Sequence, residues 1–291
     1  MNAAVFKVLR HALLLAILLC PAAQADPAIW QVKGKHNTLY LLGTIHMLPS
    51  DEQLTNNIQR AYGEAEQLLM EIDMDDIDPV ATQVATTRLG LLPDGQNLVT
   101  QLNPATQRKL KIAADKVGLD SQLLGQFQPW LAAVTLEQLT YAKQGFAAES
   151  GIEMQLTRQA IQDHKSIQGL ETLDEQLGLL ANLDQAVQRD FLRQTLDELD
   201  ESTDDLAQLL QAWRNGDTQH LQTMLYEGLT ENPQLFARLT TQRNQRWLST
   251  LEKLLDQQTD DYLVAVGALH LVGDTGLVSL LRAAGYQVTL Q

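Results

Sequence analysis

The chain has 291 residues, 45% of them hydrophobic, which is ample for one large domain with a full core. Its 36 acidic residues outnumber 21 basic ones for a net charge of −15, and such a surface repels nucleic acid and anionic lipid. The one cysteine, Cys20, lies in a segment that reads as a removable leader, so the rest of the chain can use neither disulfides nor thiolate chemistry.

That leader opens the chain. Lys7 and Arg10 form a basic n-region, Ala12 to Leu19 is an apolar h-region too short to span a bilayer as a mature helix, and Ala23-Gln24-Ala25 is an A-x-A cleavage site. Leu19 stands before Cys20 where a lipid anchor requires a small residue. Cleavage after Ala25 predicts a periplasmic or secreted protein running from Asp26 to Gln291, with no stable membrane insertion.

Ile29 to Lys33 and Thr38 to Leu42 are predicted strands of a hairpin around Gly34-Lys35-His36-Asn37, with His36 solvated. Gly43-Thr44-Ile45-His46 follows the second strand. A helix is expected from about Gln53 to Glu66, with Leu54, Ile58, Ala61 and Ala65 on one face. Gln67 to Met70 reads as a buried strand ending at Glu71, where a carboxylate is costly unless a cation or donor meets it. Asp73, Asp75, Asp76 and Asp78 lack the glycine and distal glutamate of a calcium loop; Asp78 is better placed to cap a helix opened by Pro79.

From about residue 79 to 259 the pattern is helical, including Gln122 to Gln144, the charged hairpin Gln185 to Leu210 with its acidic run Asp197 to Asp205, and a long helix Gln234 to Leu255. The last turns Leu235, Leu239, Trp247, Leu251 and Leu254 inward and carries Arg243 and Arg246 on one face. The exception is Lys165 to Glu171, a strand-like run between helices Ile152 to Asp163 and Leu173 to Leu183 that again ends in a glutamate. Strand Tyr262 to Val266 then leads to Gly267 and His270, and helix Gly276 to Ala284 and strand Tyr286 to Leu290 close the chain. The fold class is therefore α/β (α+β), a central mixed sheet flanked by helices, with a large all-helical insertion in one domain spanning 26–291.

No G-x-S-x-G elbow, P-loop or H-E-x-x-H helix is present. Two G-x-x-H units and two glutamates remain, each at or just past a strand end: His46, Glu71, Glu171 and His270. If the strands are neighbours, the four converge at one sheet edge. Such a nitrogen and oxygen set suits Zn²⁺, Mn²⁺ or Co²⁺, and it equally suits metal-free proton transfer.

The ordered set YLLGTIH (Tyr40 to His46), Gly169-Leu170-Glu171-Thr172 with Glu175-Gln176, Arg243-Asn244 with Trp247, and Val266-Gly267-Ala268-Leu269-His270-Leu271 resembles the TraB/PrgY/GumN family along the whole stretch from Asp26 to Gln291. The family is similar to the TIKI metalloproteases and, more distantly, to the erythromycin-esterase and ChaN-like proteins. The resemblance implies a mixed sheet with both histidines and the strand-end glutamates in one cleft. The TIKI likeness implies a Mn²⁺- or Co²⁺-dependent peptidase trimming a secreted protein; the TraB and PrgY members imply reduced activity of a secreted peptide pheromone. Carried over by motif, His46 and His270 with Glu71 are the metal ligands. Glu71, Glu171 and Arg243 are the catalytic set, with Arg243 holding an oxyanion or a substrate carboxylate. The expected function is an exported metal-dependent hydrolase of peptide or protein substrates. The alternatives are a metal-free esterase or amide hydrolase using His46 and Arg243, and a non-enzymatic peptide or haem binder.

Overall fold

A computed structural model describes residues 26–199, 204–226 and 232–291. The leader expected at 1–25 and the middle of the acidic run, 200–203, lie outside the described residues.

The strands are β1 (Ile29–Lys33), β2 (Thr38–Thr44), β3 (Leu48–Pro49), β4 (Gln67–Met70), β5 (Phe146–Ala147), β6 (Ile167–Gly169), β7 (Tyr262–Gly267) and β8 (Gln287–Leu290). The helices are α1 (Asn56–Glu64), α2 (Pro79–Gly90), α3 (Pro104–Val117), α4 (Ser121–Leu124), α5 (Pro129–Lys143), α6 (Ile152–Asp163) and α7 (Leu173–Ala181). They continue with α8 (Gln185–Glu198), α9 (Asp204–Arg214), α10 (Thr218–Tyr226), α11 (Pro233–Phe236), α12 (Gln242–Gln257) and α13 (Leu277–Ala283).

Six strands form one mixed sheet in the order β6-β4-β7-β2-β1-β8. β6, β4, β7 and β2 run parallel, while β1 is antiparallel to both β2 and β8. The central strands are covered on both faces, which is why β2 and β7 read as unbroken apolar runs instead of alternating ones. Successive residues still divide between two cores. Tyr40, Leu42, Leu68, Met70, Leu263 and Ala265 face α1 and α6 through Ile58, Tyr62, Ile152 and Leu156. Leu39, Leu41, Leu69, Val264 and Val266 face α12 and α13 through Trp247, Leu251, Leu255, Leu277 and Leu281. Burying each such side chain contributes about 1.5–3 kcal/mol. A third core joins α3, α5 and α8 through Leu110, Ala114, Leu136 and Leu192.

The mixed sheet with flanking helices is the expected fold class. Several boundaries move for local reasons. The middle of the chain is not all helical: β6 extends the main sheet, and β5 pairs with β3 in a two-residue ladder. The expected helix Gln122 to Gln144 breaks between α4 and α5, because Pro129 starts α5 at its first position and drives the residue before it into extended backbone. Asp78 accepts from Val80 N and caps α2, as its position before Pro79 predicts.

The long C-terminal helix is continuous from α11 to α12 but passes through a π-turn at Ala237–Thr241. Such a turn holds one residue more than an α-turn and commonly sits beside functional groups. Downstream of it Trp247, Leu251 and Leu255 take the core seats, and Leu254 is only partly buried.

Candidate active site

The parallel register brings the carboxyl ends of four neighbouring strands to one edge. Met70 is level with Gly169 and with Ala265, and Thr44 is level with Gly267. The next residues are therefore aligned along this edge in the order Glu171, Glu71, His270, His46. All four predicted residues meet there, at the carboxyl ends of the strands, the edge where α/β folds place their ligands.

Arg243, two residues past the π-turn, is the hub. Its Nη2 donates to Glu71 Oε2 at 2.5 Å and to Glu171 Oε1 at 2.6 Å, its Nε donates to Glu171 Oε2 at 3.2 Å, and its Nη1 meets His270 Nε2 at 2.9 Å. The guanidinium fork matches the Glu171 carboxylate in the two-point geometry that lysine cannot make. It also lies over the Trp247 ring at 4.5 Å. Glu71, Glu171, Arg243 and His270 are all buried. Buried charges of this kind persist only when paired and hydrogen-bonded, and every one of them is. Gln176 Nε2 adds a bond to Glu71 Oε2 at 3.0 Å, and the Gly267 N–H donates to Glu71 Oε1 at 2.8 Å.

His46 differs from the other three. Its side chain is 69% exposed, and its Nδ1 lies 2.7 Å from Glu153 Oε1 on α6. Glu153 is itself buried and also accepts from the Thr44 hydroxyl. Gly151 and Gly267 permit this arrangement by close approach. A Cβ on Gly151 would lie 2.2 Å from the His46 carbonyl oxygen. A Cβ on Gly267 would lie 3.2 Å from Glu71 Oε1 and 3.7 Å from both His46 Nε2 and His270 Cδ2. Gly267 has φ −49°, which any residue adopts, so it serves through its missing side chain and not through an unusual turn.

The electrostatics follow from these contacts. The Glu153 charge beside it raises the His46 pKa to about 9. Burial lowers the His270 pKa to about 3, with Arg243 and His46 acting in the same direction against Glu71. Burial alone would raise Glu71, but the surrounding positive groups and the Gly267 N–H bring it to about 2. Burial lifts Glu171 above the ordinary carboxylate range despite its Arg243 contacts, and Glu71 adds to that lift. One imidazole is thus charged and open, the other neutral and enclosed.

Among the described residues no three His, Asp or Glu side chains stand close enough together to enclose a metal ion, since the Arg243 guanidinium takes the place between Glu71, Glu171 and His270. The donor chemistry nonetheless fits one. Each histidine has its Nδ1 held by an acceptor, Glu153 Oε1 or Asn244 Oδ1. A held Nδ1 leaves Nε2 as the nitrogen a metal would take, although at His270 Arg243 Nη1 meets that atom at 2.9 Å.

Glu153 is the residue that strand-end reasoning misses. Its signal lies in α6, where Ile152, Leu156, Thr157 and Ala160 are buried at helical spacing and Glu153 occupies a core position among them. The remaining partners, Asn244 and Gln176, fall within the quoted motifs, but nothing in their spacing gives them a task.

A mixed α/β sheet with paired histidines and glutamates at the ends of its parallel strands defines the class of protein. The chain belongs to the TraB/PrgY/gumN family, whose match spans residues 28–290. It is 28% identical over 258 residues to YbaP of Escherichia coli strain K12, covering 88% of this chain and 92% of that one. It is 29% identical over 245 residues to YbaP of Shigella flexneri, covering 84% and 87% of the two chains. A more distant relative, the zebrafish (Danio rerio) protein named metalloprotease TIKI2, is 24% identical over 323 residues, covering 92% of this chain and 62% of its own. No solved structure matches. Among the described residues no helix is long and apolar enough to cross a membrane.

Proposed function

We propose that this chain is an exported metal-dependent hydrolase that cleaves peptide bonds in peptide or secreted-protein substrates. The observation that carries the reading is the matched pair of imidazoles. Each has its far nitrogen fixed by an acceptor; Glu71 Oε1 lies 3.7 Å from His270 Nε2, and the space a Gly267 side chain would fill lies between Glu71 Oε1 and His46 Nε2. His46, His270 and Glu71 would hold the ion, and two nitrogens with one carboxylate suit Mn²⁺, Co²⁺ or Zn²⁺. When bound, the ion supplies Lewis-acid polarisation of the scissile carbonyl. Glu171, lifted above its ordinary pKa range by burial, serves in proton transfer. Arg243 anchors both glutamates and offers positive charge to the developing oxyanion or to a substrate carboxylate. The name carried by the zebrafish relatives supports a metallopeptidase.

Metal content and peptide cleavage, measured for the wild type, His46→Ala and His270→Ala, test this. Stoichiometric divalent metal in the wild type and its loss in both variants is the expected result. A purified protein that binds no divalent ion under any loading condition overturns it.

One observation favours a second reading. Arg243 Nη1 already occupies the His270 Nε2 lone pair, and the exposed His46 has Glu153 behind it as a base has its orienting carboxylate. In this reading His46 activates water without a metal once its proton is lost as pH rises towards about 9, and Arg243 steadies the oxyanion. Hydrolysis that survives exhaustive chelation but is lost in His46→Ala selects it over the first.

A further inference from the structure

Asn244 does not reach the open part of the cleft, yet its amide is fully engaged. Its Nδ2 donates to two carbonyls of the following loop, His270 O at 3.2 Å and Thr275 O at 2.8 Å. An amide nitrogen only donates, so these two bonds fix which end of the side chain faces the imidazole: it is Oδ1. Oδ1 lies 2.6 Å from His270 Nδ1, and a carbonyl oxygen only accepts, so the ring proton sits on Nδ1. The opposite nitrogen gives the same answer independently. Arg243 Nη1 stands 2.9 Å from Nε2, a guanidinium only donates, and Nε2 is therefore bare. Two consecutive residues of α12 thus grip the two nitrogens of one ring. Trp247, one turn further on, packs against the ring face with centroids 4.5 Å apart.

We propose that Asn244 is a positioning residue that locks His270 as the Nδ1–H tautomer and so presents the Nε2 lone pair towards Glu71 and Arg243. Which imidazole nitrogen is free follows from the bond made by the other, and here that bond is built into the backbone loop that carries the histidine. Because the same amide ties the ring to His270 O and Thr275 O, ring and loop move as one body. A tautomer flip would set Nε2–H against an arginine N–H and bare Nδ1 against a carbonyl oxygen, two repulsive contacts at once. The assignment rests on the reading of His270 as a group that acts through Nε2, as ligand or as base.

The test uses metal-free, ¹⁵N-labelled protein and long-range proton–nitrogen spectra of its imidazoles, with His270 identified by its loss in His270→Gln. The wild type is expected to show a protonated Nδ1 and a pyridine-type Nε2 at His270. Asn244→Leu removes the acceptor; the tautomer signature becomes mixed, and Mn²⁺ affinity, read by calorimetry, falls by about 10- to 100-fold. Asn244→Asp keeps the acceptor, gives up both N–H donations and restores the Nδ1–H signature. This variant decides the matter if Asn244→Leu fails to fold. A wild-type proton on Nε2, an Asn244→Leu spectrum identical to the wild type, or an Nε2–H signature in Asn244→Asp overturns the assignment. Wild-type protein that binds no Mn²⁺ removes the metal reading, while the spectra still decide the tautomer.

Discussion

His46 and Glu153 form an ion pair across the mouth of the cleft, with Nδ1 and Oε1 2.7 Å apart and the imidazole on the solvent side. The Glu153 charge holds the His46 proton up to a pKa of about 9. Glu153→Gln keeps the shape and removes the charge, so the His46 pKa should fall towards its ordinary value of about 6.5. A proton NMR titration of the metal-free protein reads this directly. A raised folded-state pKa contributes stability that is complete below the unfolded value and is lost as pH rises through about 9, and the variant should lack that loss between neutral pH and 9. An unchanged His46 titration would show that Glu153 does not set its charge.

Arg243 is the structural keystone as well as the proposed electrostatic one. Arg243→Ala leaves buried Glu71 without its cation and Glu171 with only the half-exposed Arg246 at 3.8 Å, which should cost about 3–5 kcal/mol in urea unfolding. Arg243→Lys returns the charge but not the fork and should recover only part of that loss. Full recovery with lysine would show that charge alone matters at this position.

Gly267→Ala should separate folding from function. The backbone conformation accepts alanine, so stability should change by no more than about 1 kcal/mol. The new methyl would lie 3.2 Å from Glu71 Oε1 and 3.7 Å from His46 Nε2, in the space those groups share. Displacing them by a fraction of an ångström to 1 Å should lower hydrolysis by about 100-fold. Normal turnover in a normally folded Gly267→Ala protein would place the reacting groups elsewhere.

A fourth expectation lies far from the cleft. On α5, burial raises the Glu137 pKa to about 7, and Glu198 on α8 adds to the shift. The folded chain then holds a proton that the unfolded chain releases above about pH 4.5, so stability falls as pH rises from there to 7. Glu137→Gln should leave stability at pH 4 unchanged and raise it by about 1–3 kcal/mol at pH 8, measured by thermal unfolding at both values. Equal effects at the two pH values would contradict the assignment.

What the amino-acid pattern reveals and what it hides have physical reasons. β2 and β7 are legible because a strand covered on both faces must be apolar throughout, and the G-x-x-H after each marks where the backbone leaves the sheet. Glu71 and Glu171 are legible because a carboxylate next to a buried strand demands a partner. Glu153 is hidden because a helical position reveals its inward direction only when its neighbours are read as a face. The π-turn before Arg243 has no compositional signature. Further on, Trp247, Leu251 and Leu255 lie four apart and are buried, while Leu254 beside that line is partly buried against the same core. β3 and β5, two residues each, lie below the length at which alternation can be seen.

The strand order has a consequence in time. β2 and β4 follow each other closely along the chain, yet they are not neighbours in the sheet, because β7 lies between them. Until Tyr262–Gly267 arrives, β2 has only its antiparallel partner β1 and β4 only β6, and His46 and Glu71 have no common edge to share. Pairings this distant in sequence form slowly, since the intervening loop must close before the contacts reward it. A chain growing from its N-terminus therefore cannot assemble its cleft until nearly all of it has been made. The hairpin β1–β2 and the pair β4–β6 stay unjoined for most of synthesis, and the strand-end side chains share one edge only when the last strands come into place.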